Sequence, residues 1–403
     1  MTASHLVGLE CTRCGEIVLD LKATSCLKCG DILTGKYDLS GLKNVLKSVK
    51  EHTIWNYKNY LPPVELSNRV SLGEGNTPYV NLKNYGGLIG GINIWAKLEG
   101  CNPTGSFKDR AASVEVSLAK QWKSLGIFTA SSGNAAAALA AYATRAKIKC
   151  LILVKEDSSF AKLEQISTYN PRIVRVKRLF TDKQTLIASL KRVESLLPGW
   201  RNGFVWAPFN PLAIDGLKTI SYEISAIKIP DYVFVPTAGG DLLFSIFKGF
   251  SELKSINLID KMPKIIAVQG DNASPLVQSI ERNLDHVEET GEPSTIASAL
   301  RVNFGANHAI KAVKESGGFG ISVSDLEIEN AQKNLAKLDG IFAETSSAAA
   351  LAGVEKAIRN KRIEKDATIS VILTGTGFKE YQFNKDELKK IELLDSVNDL
   401  KLQ

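Results

Sequence analysis

Lys108 stands in the run Glu99-Gly-Cys-Asn-Pro-Thr-Gly-Ser-Phe-Lys-Asp-Arg110. That run reads as the end of a strand, a turn rich in Asn, Pro and Gly, and then the first turn of a helix. A lysine enclosed between a helix N-terminus and a neighbouring turn sheds its proton at low cost, and neutral lysine is a nucleophile. The reaction that suits it best is a Schiff base with a carbonyl cofactor. Lys108 in that role makes the protein an enzyme, with pyridoxal phosphate as the carbonyl compound.

Three further turns fit three parts of such a cofactor. Ser131-Ser132-Gly133-Asn134 lies between a strand and an alanine-rich helix. Its small residues let backbone approach a flat ring, and the Asn134 amide can bond a ring oxygen. The helix N-terminus behind Ser131 and Ser132 favours a substrate carboxylate. Thr237-Ala238-Gly239-Gly240, ahead of Asp241 and another helix, exposes consecutive backbone N–H groups and a hydroxyl, which makes a phosphate cradle or a plain tight turn. Thr374-Gly-Thr-Gly377 follows the last strand, and a hydroxyl there could face the pyridine nitrogen. A threonine does not hold that nitrogen protonated as a carboxylate would. This favours elimination and replacement over transamination.

Four cysteines form a separate group. Cys11-Thr-Arg-Cys14-Gly15 and Cys26-Leu-Lys-Cys29-Gly30 each form a tight turn that aims two thiolates at one point, and the following glycine permits left-handed backbone. Together they predict a closed, four-sulfur structural zinc site with no open position for catalysis. So short a segment is expected to fold on its metal. Zinc ribbons also serve nucleic-acid binders, so a non-enzymatic binding protein on a degenerate enzyme fold is the alternative from another class.

The elements that must hold these residues alternate. Strands are predicted at Ile92–Leu98, Ile127–Ala130, Lys149–Val154, Arg172–Val176, Tyr232–Pro236, Lys264–Gln269 and Ala367–Thr374. Helices are predicted at Phe107–Leu125 and Asn134–Ala146, near 158–169 and 181–197, from about Asp241, and near 326–338 and 346–360. Such alternation implies parallel sheets covered by helices on both faces, with ligands beyond the carboxyl ends of the strands. Residues 54–80 read as mostly loop, and the charged tail from about Lys379 as a surface helix.

Bulk composition narrows the class. The chain has 403 residues, 44% hydrophobic and 23% charged, which fits two or three globular domains. A net charge of +7 suits an anionic small ligand; the cations are scattered, which argues against nucleic acid. No apolar run reaches the ~18 residues of a membrane span, and no secretion signal opens the chain. Cys101 and Cys150 read as buried hydrophobes, and the cysteine pattern as that of a reducing, cytoplasmic setting. His5, His52, His286 and His308 form no pattern. Trp95, Trp122 and Trp206 read as core or interface residues, and Asp109 with Arg110 as an ion pair, supporting Lys108 or solvated.

In this order the motifs resemble the fold-type-II pyridoxal-phosphate enzymes and, within them, the threonine synthases. The likeness runs through the cysteine knuckles with Tyr37-Asp-Leu39, Gly73-Glu-Gly-Asn-Thr-Pro78, Asn102–Arg110, Ala130–Asn134 and Glu315-Ser-Gly-Gly318. It continues in Gly340-Ile-Phe-Ala-Glu-Thr-Ser-Ser-Ala-Ala-Ala350 and Leu373–Gly377. The resemblance implies two parallel-sheet α/β domains of the tryptophan synthase β type, with the cofactor cleft between them. A zinc ribbon at 1–35 then precedes a large domain at 36–96 and 207–403 and a small domain at 97–206. It implies that Lys108 carries the cofactor and shuttles protons, Asn134 bonds its ring oxygen, Thr237, Ala238, Gly239 and Gly240 bind its phosphate, and Thr374 meets the pyridine nitrogen. A homodimer is implied too. The activity implied is O-phosphohomoserine and water to threonine and phosphate. Three positions depart from the family pattern. Ala213 stands where an arginine clamps the substrate phosphate, Ala135 replaces a threonine with the same task, and Asp241 replaces an asparagine. Lys218 or Arg110 could substitute as the cation. Otherwise the substrate carries no phosphate, and the activity is that of a threonine/serine dehydratase-like lyase or another β-replacement enzyme.

Overall fold

The computed structural model describes residues 4–47, 52–156, 158, 160–177, 179 and 182–380. Its largest sheet has six strands in the spatial order Phe319–Val323, Lys264–Gly270, Tyr232–Pro236, Thr368–Leu373, Asn93–Leu98 and Tyr79–Asn81. All neighbours run parallel except the last pair. A second sheet has four parallel strands in the order Arg172–Val176, Lys149–Lys155, Gly126–Ala130 and Trp200–Asn202. Every residue of Tyr232–Pro236, Gly126–Ala130 and Thr368–Leu373 is buried, as unbroken apolar strands covered on both faces must be.

The N-terminal unit is a small antiparallel sheet in which Leu6–Cys11 lies between Ile17–Val18 and Leu33–Tyr37. Its strand Leu33–Tyr37 runs two residues past the boundary expected at 35. Likewise Asn93–Leu98 belongs wholly to the six-stranded sheet, so a boundary at 96 falls inside that strand. The ribbon's core is shared with the body: Leu9, Val18 and Leu33 pack with Trp55, Leu61, Val114, Leu118 and Leu212.

Several elements went unread in the sequence. Residues 54–80, expected as loop, include the 3-10 helix Ile54–Tyr60, held by burial of Ile54, Trp55, Tyr57 and Tyr60. A segment so short carries no readable period. The strand Phe319–Val323 was missed because glycines precede it. Gly318 is needed there: a Cβ on it would sit 1.9 Å from the Ile265 carbonyl oxygen. Cys101, expected to be buried, is exposed. Of the tail, Gly377–Lys379 forms one 3-10 turn, and residues 381–403 lie outside the described residues. Among the described residues no helix is long and apolar enough to cross a membrane.

Candidate active site

Strand order brings the candidate turns together. Tyr232–Pro236, Thr368–Leu373 and Asn93–Leu98 are adjacent and parallel, so the segments leaving their carboxyl ends emerge side by side. Those segments carry Thr237, Thr374 and Lys108 respectively. The lysine loop is hydrogen-bonded onto the last turn: Phe107 N donates to Thr374 O at 2.9 Å, and Thr376 N donates to Gly105 O at 3.0 Å. Gly105, at φ +86°, lies against Thr376, where a Cβ would meet its methyl at 2.8 Å. Lys108 opens the helix Lys108–Gln121. Its side chain is half-buried, and its ammonium lies 4.8 Å from the centre of the Phe107 ring. Burial pushes its pKa down, and the carboxylates of Asp241 and Glu344 oppose that shift. A lysine poised in this way is ready to lose its proton.

Asp109 and Arg110 do not pair with each other. Asp109 accepts from the Thr104 amide at 2.8 Å and hydroxyl at 2.6 Å, which closes the Asn-Pro-Thr-Gly turn; burial raises its pKa to about 7. The fully buried Arg110 forks onto two carboxylates, Glu99 at 2.7 and 2.8 Å and Glu223 at 2.6 and 2.8 Å, and also donates to Thr219. Lys97 joins Glu223 at 2.6 Å. Two cations and two anions thus balance beneath the first turn of the lysine helix.

The Thr237–Gly240 turn is followed by the helix Asp241–Ser255. Gly240 has φ +103°, and a Cβ there would press on Ala309 Cβ at 2.6 Å. Among the described residues nothing accepts the amide protons of Ala238, Gly239 or Gly240. A bare row of N–H groups at the start of a 15-residue helix fits a phosphate. The Thr237 hydroxyl does not add the donor expected of it, because it already bonds Val235 O at 2.7 Å. Asp241 turns away as well: its carboxylate accepts from the Ala207 amide at 3.1 Å, and His308 Nε2 lies 3.2 Å from it.

Asn134 and Thr374 meet through a residue that the sequence did not single out. Asn134 Nδ2 donates to Glu344 Oε2 and Thr374 Oγ1 to Glu344 Oε1, each at 2.9 Å. Ser347 adds a hydroxyl contact to Thr374 at 2.9 Å. Burial raises the Glu344 carboxyl to about 6, while both donors pull it down. Glu344 precedes the helix Thr345–Arg359 inside a run already quoted for its resemblance. The signal available in sequence was an acid among small residues at a helix start.

Ser131 and Ser132 are half-buried at the N-terminus of the helix Asn134–Ala146, on the four-stranded-sheet side of the cleft. Lys218 is not available to a substrate. It is fully buried, bonds Glu252 at 2.9 Å and lies 3.7 Å from the centre of the Tyr37 ring. Arg110 is likewise consumed in its cluster. Ala213 is fully buried in the short helix Ala213–Gly216. Lys379 remains a cation beside the site: Nζ donates to Thr104 O at 2.8 Å, and its charge faces Glu344 and Asp109.

At the other end of the chain, the sulfurs of Cys11, Cys14, Cys26 and Cys29 all lie within 4.8 Å of one another. Gly15 and Gly30 adopt φ +73° and +72°, so the two knuckles are the same turn used twice.

Comparison with known proteins gives a consistent result. Residues 70–375 match the family model described as pyridoxal-phosphate dependent enzyme, a span that holds Lys108, Asn134, Thr237–Gly240 and Thr374. The chain is 35% identical over 382 residues to a threonine synthase of Methanocaldococcus jannaschii, covering 92% of each chain. It is 36% identical over 329 residues to a threonine synthase of a Bacillus species, covering 80% of this chain and 89% of that protein. Among solved structures, maize serine racemase superposes with a TM-score of 0.65 at 23% identity, over 78% of this chain and 90% of that one, a likeness of fold. The site geometry and these matches together place the chain in the family of pyridoxal-phosphate-dependent enzymes, with threonine synthases as its relatives.

Proposed function

We propose that the protein is a threonine synthase that converts O-phosphohomoserine and water to threonine and phosphate. One observation carries the reading: the Lys108 loop is bonded directly onto the Thr374 turn, beside the phosphate cradle, in a chain that matches a threonine synthase over 92% of both lengths. Lys108 carries the cofactor; the Ala238, Gly239 and Gly240 amides hold its phosphate; Asn134 and Thr374 border its ring. Pyridoxal phosphate supplies a ring that withdraws the electrons left at the substrate α-carbon. Once the substrate amine displaced it from the cofactor, Lys108 Nζ would be free to take the α-proton and, after passing that proton on, a β-proton. Phosphate leaves the γ-carbon, protons return to the γ- and α-carbons, and water adds at the β-carbon. Ser131 and Ser132, at the alanine-rich helix N-terminus, receive the substrate carboxylate. Lys379 takes the place of the expected phosphate clamp. We also read the four cysteines as one structural zinc site. Their bonded-range S···S separations of 3.4, 3.5 and 3.7 Å approach the roughly 3.8 Å edge that Zn–S bonds of about 2.3 Å give in a tetrahedron. The chain acts as a homodimer.

The lyase reading on an unphosphorylated substrate is favoured by Ala135, Ala213 and the buried Lys218, which supply no cation to a substrate phosphate. One assay divides the two. Phosphate released from O-phosphohomoserine, with no 2-oxo acid formed from threonine or serine, supports threonine synthase; the reverse pattern supports the dehydratase. Borohydride fixes the cofactor to wild-type protein but not to Lys108→Ala, whose turnover falls by about a thousandfold or more. Fixation that survives the substitution removes Lys108 from the centre of the site.

A further inference from the structure

Trp206 carries a buried donor with no acceptor among the described residues. Its side chain is 4% exposed, and among the described residues its indole Nε1 has no hydrogen-bond partner. Leaving a buried N–H unpaired is costly, which points to a partner in a bound molecule. The indole nitrogen lies 3.1 Å from where a Cβ on Gly239 would stand. That glycine is the centre of the turn whose own amides lack acceptors. An orphan side-chain donor therefore lies against a turn of orphan backbone donors.

The surrounding residues hold the indole there. Phe304 and Phe209 flank the ring at centroid distances of 5.1 and 6.2 Å, and Phe204 meets it edge-on at 6.4 Å. Asp241 Oδ2 accepts from the Ala207 amide at 3.1 Å, which fastens the backbone beside Trp206 to the first residue of the helix after the turn. Asp241 thereby has a task that does not require it to touch an anion. The same turn's hydroxyl donor is spent internally, since Thr237 bonds Val235 O.

We propose that Trp206 is a cofactor-binding residue whose indole N–H donates to the phosphate of pyridoxal phosphate, with Asp241 as the positioning residue that pins the indole over the turn. The proposal rests on the cofactor reading above. A neutral N–H donating to a charged phosphate adds affinity without adding a charge.

Trp206→Phe keeps the ring packing and removes the donor. In equilibrium titrations of apoprotein, its Kd for pyridoxal phosphate rises about tenfold or more, while its Kd for pyridoxal, which has no phosphate, stays within about twofold of wild type. The phosphorus resonance of the bound cofactor shifts as well. Asp241→Ala, which removes the oxygen that accepts from the Ala207 amide, weakens pyridoxal phosphate binding in the same selective manner. An unchanged Kd in Trp206→Phe, or equal weakening for both ligands, overturns the assignment, since the tryptophan would then serve packing alone. Wild-type protein that binds neither ligand overturns the cofactor reading, and this proposal with it.

Discussion

Glu344 shows how one side chain ties the proposed cofactor site together. Its two oxygens take one donor from each side of the cleft, Asn134 from the four-stranded-sheet side and Thr374 from the six-stranded sheet. Its carboxyl, ordinarily near 4.5, is raised to about 6 by burial. A raised carboxyl binds its proton more tightly in the folded protein than in the unfolded chain. The resulting stability is complete below about pH 4.5 and is lost as pH rises through about 6. Relative to Glu344→Gln, wild-type apoprotein should lose about 1.5 kcal/mol between pH 4.5 and 6.5, read from urea midpoints. A pH-independent difference would place the proton elsewhere. Residues of this kind stayed hidden in the sequence, because Glu344 and Asn134 are separated by 210 positions. The place of Lys108 at a helix start, by contrast, was legible, since it depends on the turn and helix around it.

The lysine helix is an element positioned from below by charge and from the side by small residues. Ala136 to Ala143 of the facing helix are all buried. Beneath its first turn, Arg110, Glu99, Glu223 and Lys97 satisfy one another. Removing one member leaves uncompensated charge in the interior. Arg110→Met should therefore destabilise the protein by about 3–5 kcal/mol, measured by urea unfolding. A loss near zero would show that water reaches the cluster. Glu223 is held down to about 2 by Arg110 and Lys97, against desolvation. A depressed carboxyl stabilises the fold above about pH 4.5, and that contribution drains away as pH falls towards 2. The element itself was predicted within a few residues from its turn and apolar pattern. Its partners were not, because an Asp-Arg pair adjacent in sequence points to opposite sides of a helix start.

At the scale of the molecule, the cysteine ribbon is sewn to the catalytic body. Lys248 donates to Thr34 Oγ1 at 2.8 Å and to Gly35 O at 2.6 Å, and Tyr37 donates to Asp215 at 2.7 Å. The ribbon's apolar core continues into Val114 and Leu118 on the back of the lysine helix. Chelation should remove about one zinc per chain, lower Tm by at least about 5 °C and expose Trp55 to solvent, read by metal analysis and tryptophan fluorescence. An unchanged Tm and no released metal would refute the zinc reading.

The sequence by itself determined which backbone turns exist and what chemistry they suit. Glycines after each cysteine pair, glycines in the Thr237–Gly240 turn and a lysine at a helix start are local demands, and local demands are written in consecutive residues. Only the tertiary structure decided which side chains meet. Placing Thr368–Leu373 between Tyr232–Pro236 and Asn93–Leu98 sets three distant turns in one row. It also sends Lys218 and Arg110 into buried ion pairs and leaves Trp206 facing Gly239. Those pairings follow from strand order and packing, in which sequence separation has no bearing on distance in space.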